Sequence, residues 1–189
     1  MLGYIAIHSL LGVYGFYNSP NTSTACFPLL VILPVLFLLS RFVTPNGRAF
    51  LDKLDLPMLT LFHMIRIPVE FVLFWLFVHQ AIPEAMTFHG RNFDILSGIT
   101  APFIYYFGFV KRKMGKLIII AWNIICLILL LNVVSSAILS LPARFQQFGF
   151  EQPNTALGYF PFLLLPSLLV PMVLLSTFAA IRQLLKKGN

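Results

Sequence analysis

The chain has 189 residues, of which 59% are hydrophobic and 10% charged, with a mean hydropathy of +0.89. Soluble domains carry about 25% charged residues, so this composition excludes a soluble globular protein, a disordered chain and a nucleic-acid binder, and it specifies a polytopic membrane protein. The net charge of +7 comes from 13 Lys and Arg against 6 Asp and Glu; the basic residues cluster between apolar runs, as topology signals and contacts with anionic lipid do.

A helix needs about 20 mainly apolar residues to cross the hydrocarbon core. Six runs predict spans, over residues 2–17, 26–42, 57–79, 93–110, 117–141 and 157–181 of a single membrane domain. The expected fold class is all-α, a bundle of about six transmembrane helices whose short connections make successive spans antiparallel neighbours. No positive charge precedes the first run, which argues against a secretory signal, although Ser23-Thr24-Ala25 has the small residues of a cleavage site. Whether that run is retained stays open. Cys26 and Cys126 have no metal or redox spacing and lie in apolar runs at different expected depths, so no disulfide is expected.

Charge orients the bundle. Arg41, Arg48 and Lys53, then Lys111, Arg112, Lys113 and Lys116, then Arg182, Lys186 and Lys187 fall on one side, with only Arg91 and Arg144 on the other. The positive-inside rule then puts both termini in the cytoplasm. Tyr14, Tyr17, Tyr105, Tyr106, Trp122 and Tyr159 fall near expected span ends, where amphipathic rings settle at the headgroups. Asp55, Asn92 and Asp94 precede the third and fourth spans as N-cap candidates.

The third run carries His63, Arg66 and Glu70, spaced three and four apart and therefore on one helix face. A charge near the bilayer centre costs a few kcal/mol even on the gentler scales, so such residues face the bundle interior and find partners. Arg66 and Glu70 are suited to pair with each other. Pro68 leaves the Met64 carbonyl without its helical donor, and Arg66 is a candidate to satisfy it. One reading is a structural ion pair. The other is an ion or substrate pathway in which Glu70 exchanges protons. Both readings stand on the sequence alone.

The connection over residues 79–98 crowds Glu84, His89, Arg91, Asn92 and Asp94 around Gly90 and reads as an external ligand-recognition loop or as a solvated turn with a helix cap. The spacings of His79, Glu84 and His89 match no zinc signature, so no metal is expected. Haem would need two axial ligands, for which His8 and His63 are the candidates at compatible depths, but no CxxCH is present and no cofactor is expected. Prolines 161, 166 and 171 favour kinks in the sixth run. In the fifth, Asn132 and Ser136 share a face. The external stretch 144–154, with Glu151, Gln152 and Asn154, is placed to close over the side that carries Arg91.

Three segments, Arg66-Ile67-Pro68-Val69-Glu70, Met86-Thr87-Phe88-His89-Gly90-Arg91-Asn92-Phe93-Asp94 and Gln152-Pro153-Asn154, resemble a group of uncharacterised bacterial integral membrane proteins. The resemblance runs over most of the chain. It implies a multi-pass protein of the bacterial inner membrane, and it supplies no activity and no site residue. The leading functional expectation is a small-solute or ion transporter, permease-like, with its site at His63, Arg66 and Glu70 opening toward Glu84–Asp94. Its rivals are a non-enzymatic membrane partner or assembly protein and a protein that holds haem, quinone or lipid. Expected partners are the lipid bilayer, a second copy or another membrane protein, and no nucleic acid. No phosphate loop, HExxH or GxSxG is present to argue for an enzyme, and no catalytic residue is assigned.

Overall fold

The structure is a computed structural model that describes residues 2–18 and 23–186. Among the described residues it is all-helical, with no strand. The helices are α1 (Leu2–Val13), α2 (Ser23–Val43), α3 (Pro45–Lys53), α4 (Leu56–Phe62), α5 (Arg66–Val78), α6 (Ile95–Tyr105), α7 (Lys116–Leu139) and α8 (Val170–Lys186).

Among the described residues, three helical stretches are long and apolar enough to cross a membrane: Leu56–Val78, Lys116–Leu139 and Leu165–Lys186. A fourth is reached if α2 and α3, bent by 94° at their junction, are taken together. The expected six spans are therefore corrected to three or four, and the reasons are local. The first run stops as a helix after 12 residues, about 18 Å at 1.5 Å per residue, against a hydrocarbon core of about 30 Å. Gly15, at φ +68°, turns the chain there, and Tyr17 folds back to become buried. The fourth run gives only the shorter helix Ile95–Val110, whose last turn, Tyr106–Val110, widens to a π-helix after Pro102. The sixth begins later than expected. Residues 156–158 form a 3₁₀ turn, and regular helix follows only after a π-turn over Leu165–Leu169 that contains Pro166. The third and fifth runs match their expected limits to within about two residues.

Leu56–Val78 is continuous but not uniform. α4 and α5 are joined by a 3₁₀ turn, His63–Ile65. Pro68 accounts for the break, because it has no N–H to donate one turn back and its ring crowds the preceding turn. α8 packs against α2, α4 and α7, while α6 packs against α4 and α5. Two apolar clusters hold these contacts. One gathers Leu30, Leu73, Leu76, Ile82, Met86 and Leu157. The other gathers Leu56, Ala101, Ile104, Ile119, Trp122 and Leu184. Along Leu56–Val78, His63, Arg66 and Glu70 lie between the two.

The distribution of polarity inverts that of a soluble domain. Trp75, Phe71, Phe103, Leu117 and Ile128 are exposed, while Arg66, Glu70, Asn92, Asp94 and Asn123 are buried. An apolar exterior of this extent is compatible with a lipid surround. At the end that carries Lys53 and Lys186, Asp52 accepts hydrogen bonds from Arg182 Nε at 3.0 Å and Lys186 Nζ at 2.8 Å, which ties α3 to α8. Gln183 reinforces the tie through the Leu51 and Leu54 carbonyls, both at 2.8 Å.

Candidate functional site

The buried charges meet where α5 passes the start of α6. Gly98 permits the approach: a Cβ there would lie 2.7 Å from Ile67 Cγ1 and 3.3 Å from the His63 carbonyl. Arg66 reaches across this gap with one nitrogen. Its Nη1 donates to Asp94 Oδ1, to Ser97 Oγ at 3.0 Å and to the Cys126 carbonyl of α7 at 3.0 Å. The pairing expected between Arg66 and Glu70 is therefore corrected, since the ion pair is Arg66–Asp94. The Met64 carbonyl is likewise not an acceptor of the Arg66 guanidinium, although the Arg66 backbone N–H reaches it. Asp94 stands at the N-cap position of α6, yet its side chain makes no cap bond and is given to Arg66 instead.

Glu70 has a different partner from the same loop. Asn92 Nδ2 donates to Glu70 Oε1 at 2.5 Å and to the Met86 carbonyl at 3.0 Å, while Asn92 Oδ1 accepts the Asp94 backbone N–H at 3.0 Å. One asparagine thus positions both carboxylates. Arg66 is 2% exposed and Glu70 1%, so every polar atom they own must be satisfied internally. Three are not: Arg66 Nε, Arg66 Nη2 and Glu70 Oε2 have no protein partner among the described residues. Beside them lies a cavity of about 70 Å³. Arg66, Glu70 and Asp94 line one part of it, and apolar side chains of α5, α7 and the Leu165–Val173 stretch form most of the rest.

His63 shares the helix face but not the network. Its ring packs on Trp122, with centroids 5.0 Å apart, and neither ring nitrogen has a hydrogen-bond partner among the described residues. Trp122 is buried here, donating to Thr100 Oγ1 at 2.9 Å, and so is not the headgroup anchor that its sequence position suggests. His8 meets Tyr4 and Tyr17 instead. Among the described residues no three His, Cys, Asp or Glu side chains gather as a metal-binding group. Cys126 is a buried free thiol.

The loop candidates divide. Asn92 and Asp94 turn inward and complete the site. Glu84, His89 and Arg91 are exposed. His89 stacks on Phe74, with centroids 5.2 Å apart, and Arg91 lies over the Phe148 ring at 5.2 Å. Asn132 Nδ2 fixes the Arg91 carbonyl at 2.7 Å. Gln152 and Asn154 knit the 144–154 stretch to this side through the Phe77 carbonyl at 2.9 Å and the Ala137 carbonyl at 3.0 Å. Sequence reasoning missed Ser97, Gly98 and the Cys126 carbonyl. The adjacent small residues Ser97 and Gly98 were the available signal, because small residues mark close helix contacts in membranes. A backbone carbonyl leaves no signal.

Residues 26–185 match the model of a family described as "Domain of unknown function (DUF8737)". No curated protein and no solved structure matches the chain.

Proposed function

The chain belongs to that family of unknown function, and from its buried charges we propose that it is a multi-pass membrane protein that moves a small solute or ion, with its binding site at Arg66, Glu70, Asn92 and Asp94. One observation carries the reading. Two oppositely charged side chains and a further carboxyl group are buried among apolar helices and line part of a cavity, and three of their polar atoms lack partners among the described residues. A purely structural network gains stability by satisfying every member, and a half-satisfied one is worse than apolar packing. Ionisable residues at membrane depth mark substrate or proton pathways by default.

The same reading sets the topology. The ends that carry Arg41–Lys53, Lys111–Lys116 and Arg182–Lys186 face the cytoplasm, in the inner membrane of a bacterium, with Ile95–Val110 as a further, shorter crossing. Two contacts support this grouping: Asp52 with Arg182 and Lys186 at one end, and Arg91 with Phe148 at the other.

The test is flux. Purified protein is reconstituted into vesicles that enclose a pH-sensitive dye, and small organic acids and amines are added outside. The wild-type protein gives a dye response to at least one class. Glu70→Gln inserts and purifies normally but gives none. An inactive wild type, or a fully active Glu70→Gln, defeats the proposal.

A further inference from the structure

We propose that the elbow between α2 and α3 is a binding site for one anionic phospholipid, with the headgroup phosphate on Arg41 and part of an acyl chain in the groove between the two helices. This rests on the membrane reading above and is independent of transport.

The argument begins with the bend. α2 runs as a mainly apolar helix to Val43, and α3 leaves it at 94°. A spanning α2 therefore lays α3 close to the membrane plane, with the elbow where hydrocarbon meets headgroups. Exposed apolar and cationic residues alternate there, as that boundary requires: Val43 and Phe50 are exposed, and so are Arg41 and Arg48. Two features hold α3 in place. Arg182 and Gln183 of α8 bind Asp52 and the Leu51 carbonyl. Gly47 lets α3 fold tightly on α2, because a Cβ at that position would collide with the Arg41 carbonyl.

The elbow encloses a groove of about 470 Å³, inside the range of about 300–1,000 Å³ that holds small molecules. Phe37 and Leu38 of α2, Phe50 of α3 and Leu175 of α8 supply apolar walls, and Arg41 and Asn46 are its polar members. The cation is fixed on this wall. The Arg41 guanidinium lies over the Phe37 ring, 4.5 Å from its centroid. Beside the bend, Arg48 Nη2 donates to the Val43 carbonyl at 3.0 Å, which keeps a second cation close by. An apolar slot with a cation on its wall matches a lipid, whose chain is apolar and whose charge stands at one end.

Charge selects the headgroup. Among the described residues neither Arg41 nor Arg48 meets a carboxylate, and Asp52, the acid of α3, is already held by Arg182 and Lys186. An anionic headgroup supplies the missing partner. A zwitterionic one arrives with a cation of its own, for which the groove has no acid. A free phosphate leaves the apolar walls unfilled. A second copy docked here about a two-fold axis would set like charges together.

The experiment is native mass spectrometry of the full chain, released from mild detergent after titration with phosphatidylglycerol, phosphatidylcholine or glycerol phosphate. One phosphatidylglycerol per chain is expected, bound at least about fivefold tighter than phosphatidylcholine, with no glycerol phosphate retained. Arg41→Gln should weaken phosphatidylglycerol about fivefold and leave phosphatidylcholine unchanged. Leu175→Trp, which fills the groove and keeps every charge, should weaken both lipids. Lys113→Gln removes the same charge from an exposed position outside the groove and should change neither. Equal binding of the two lipids, an equal loss on Lys113→Gln and Arg41→Gln, binding indifferent to Leu175→Trp, retention of glycerol phosphate alone, or a lipid-free dimer would each overturn the proposal. If Leu175→Trp fails to fold, the comparison of Arg41→Gln with Lys113→Gln decides. A chain that stays monodisperse in water without detergent would defeat the membrane reading and this site with it. Selective lipid binding without flux in vesicles would support this site and remove transport alone.

Discussion

Arg66 and Asp94 are 28 positions apart in the chain and form a buried ion pair that joins α5 to the start of α6. Removing one partner of such a pair strands the other charge, which costs about 3–5 kcal/mol, whereas replacing both by apolar groups is often neutral. Asp94→Ala should therefore destabilise the protein strongly, and Asp94→Asn less so. The double variant Arg66→Met with Asp94→Leu should recover most of the loss in a detergent unfolding assay while remaining inactive in vesicles. Recovery of both stability and flux in the double variant would mean that the pair serves only the fold.

Gly98 sets the distance between α6 and the break after α4. The Cβ of an alanine would press on Ile67 and approach the His63 carbonyl. Overpacking of this kind costs about 1–3 kcal/mol. Gly98→Ala should lower the unfolding midpoint measurably and Gly98→Val should lower it further. If Gly98→Val unfolds like the wild type, the helices are not held this close.

His63 buries two ring nitrogens with no hydrogen-bond partner among the described residues. An unsatisfied buried polar group costs about 1–3 kcal/mol. His63→Phe keeps the ring contact with Trp122 and removes that penalty, so it should stabilise the protein by about 1 kcal/mol. A loss of stability on this substitution would show that the imidazole has a partner, such as a bound water.

Asp52 lies in α3, past the 94° bend and outside the three uninterrupted candidate spans. Hydrogen bonds from Lys186 and Arg182, and the charges of both, hold its carboxyl below the ordinary carboxylate range. A depressed acid stabilises the folded state at every pH above its unfolded value and loses that contribution as pH falls through the folded value. Hydrogen exchange in the last turns of α8, taken relative to the intrinsic rate of a free amide at each pH, should thus be constant from mildly alkaline to mildly acid solution and accelerate only in stronger acid. Asp52→Asn should accelerate it at neutral pH.

Topology is open to chemical labelling. Arg112 and Gln147 are both exposed but belong to opposite ends of the proposed arrangement. In a background without Cys26 and Cys126, a membrane-impermeant thiol reagent added to right-side-out vesicles should label Gln147→Cys and spare Arg112→Cys. The opposite pattern would invert the orientation.

Apolar length alone located Leu56–Val78 and α7, because an uninterrupted apolar run has one way to satisfy its backbone in lipid. The same criterion failed for the first run, where Gly15 turns the chain before it is long enough. It also failed at the start of the sixth, where Pro161 and Pro166 delay the regular helix. Helical spacing correctly put His63, Arg66 and Glu70 on one face. Their partners were not legible. A helix face shows neighbours three and four residues away, whereas Asn92 and Asp94 arrive from a loop that folds back over the helix. The choice of Asp94 over Glu70 depends on a glycine contact between α5 and α6; the small residues Ser97 and Gly98 mark such a contact in the sequence but do not name its partner.

The separation of Arg66 from Asp94 also constrains biogenesis. During synthesis Arg66 emerges well before the residue that neutralises it. Held alone at the bilayer centre, an arginine raises the insertion free energy by about 2.5–3.5 kcal/mol, and Glu70 adds to that burden. The segment α4–α5 is thus poorly suited to partition into lipid as a solitary helix. It should wait beside the translocation channel until the loop has delivered Asn92 and Asp94, and then enter with α6 as a preassembled hairpin.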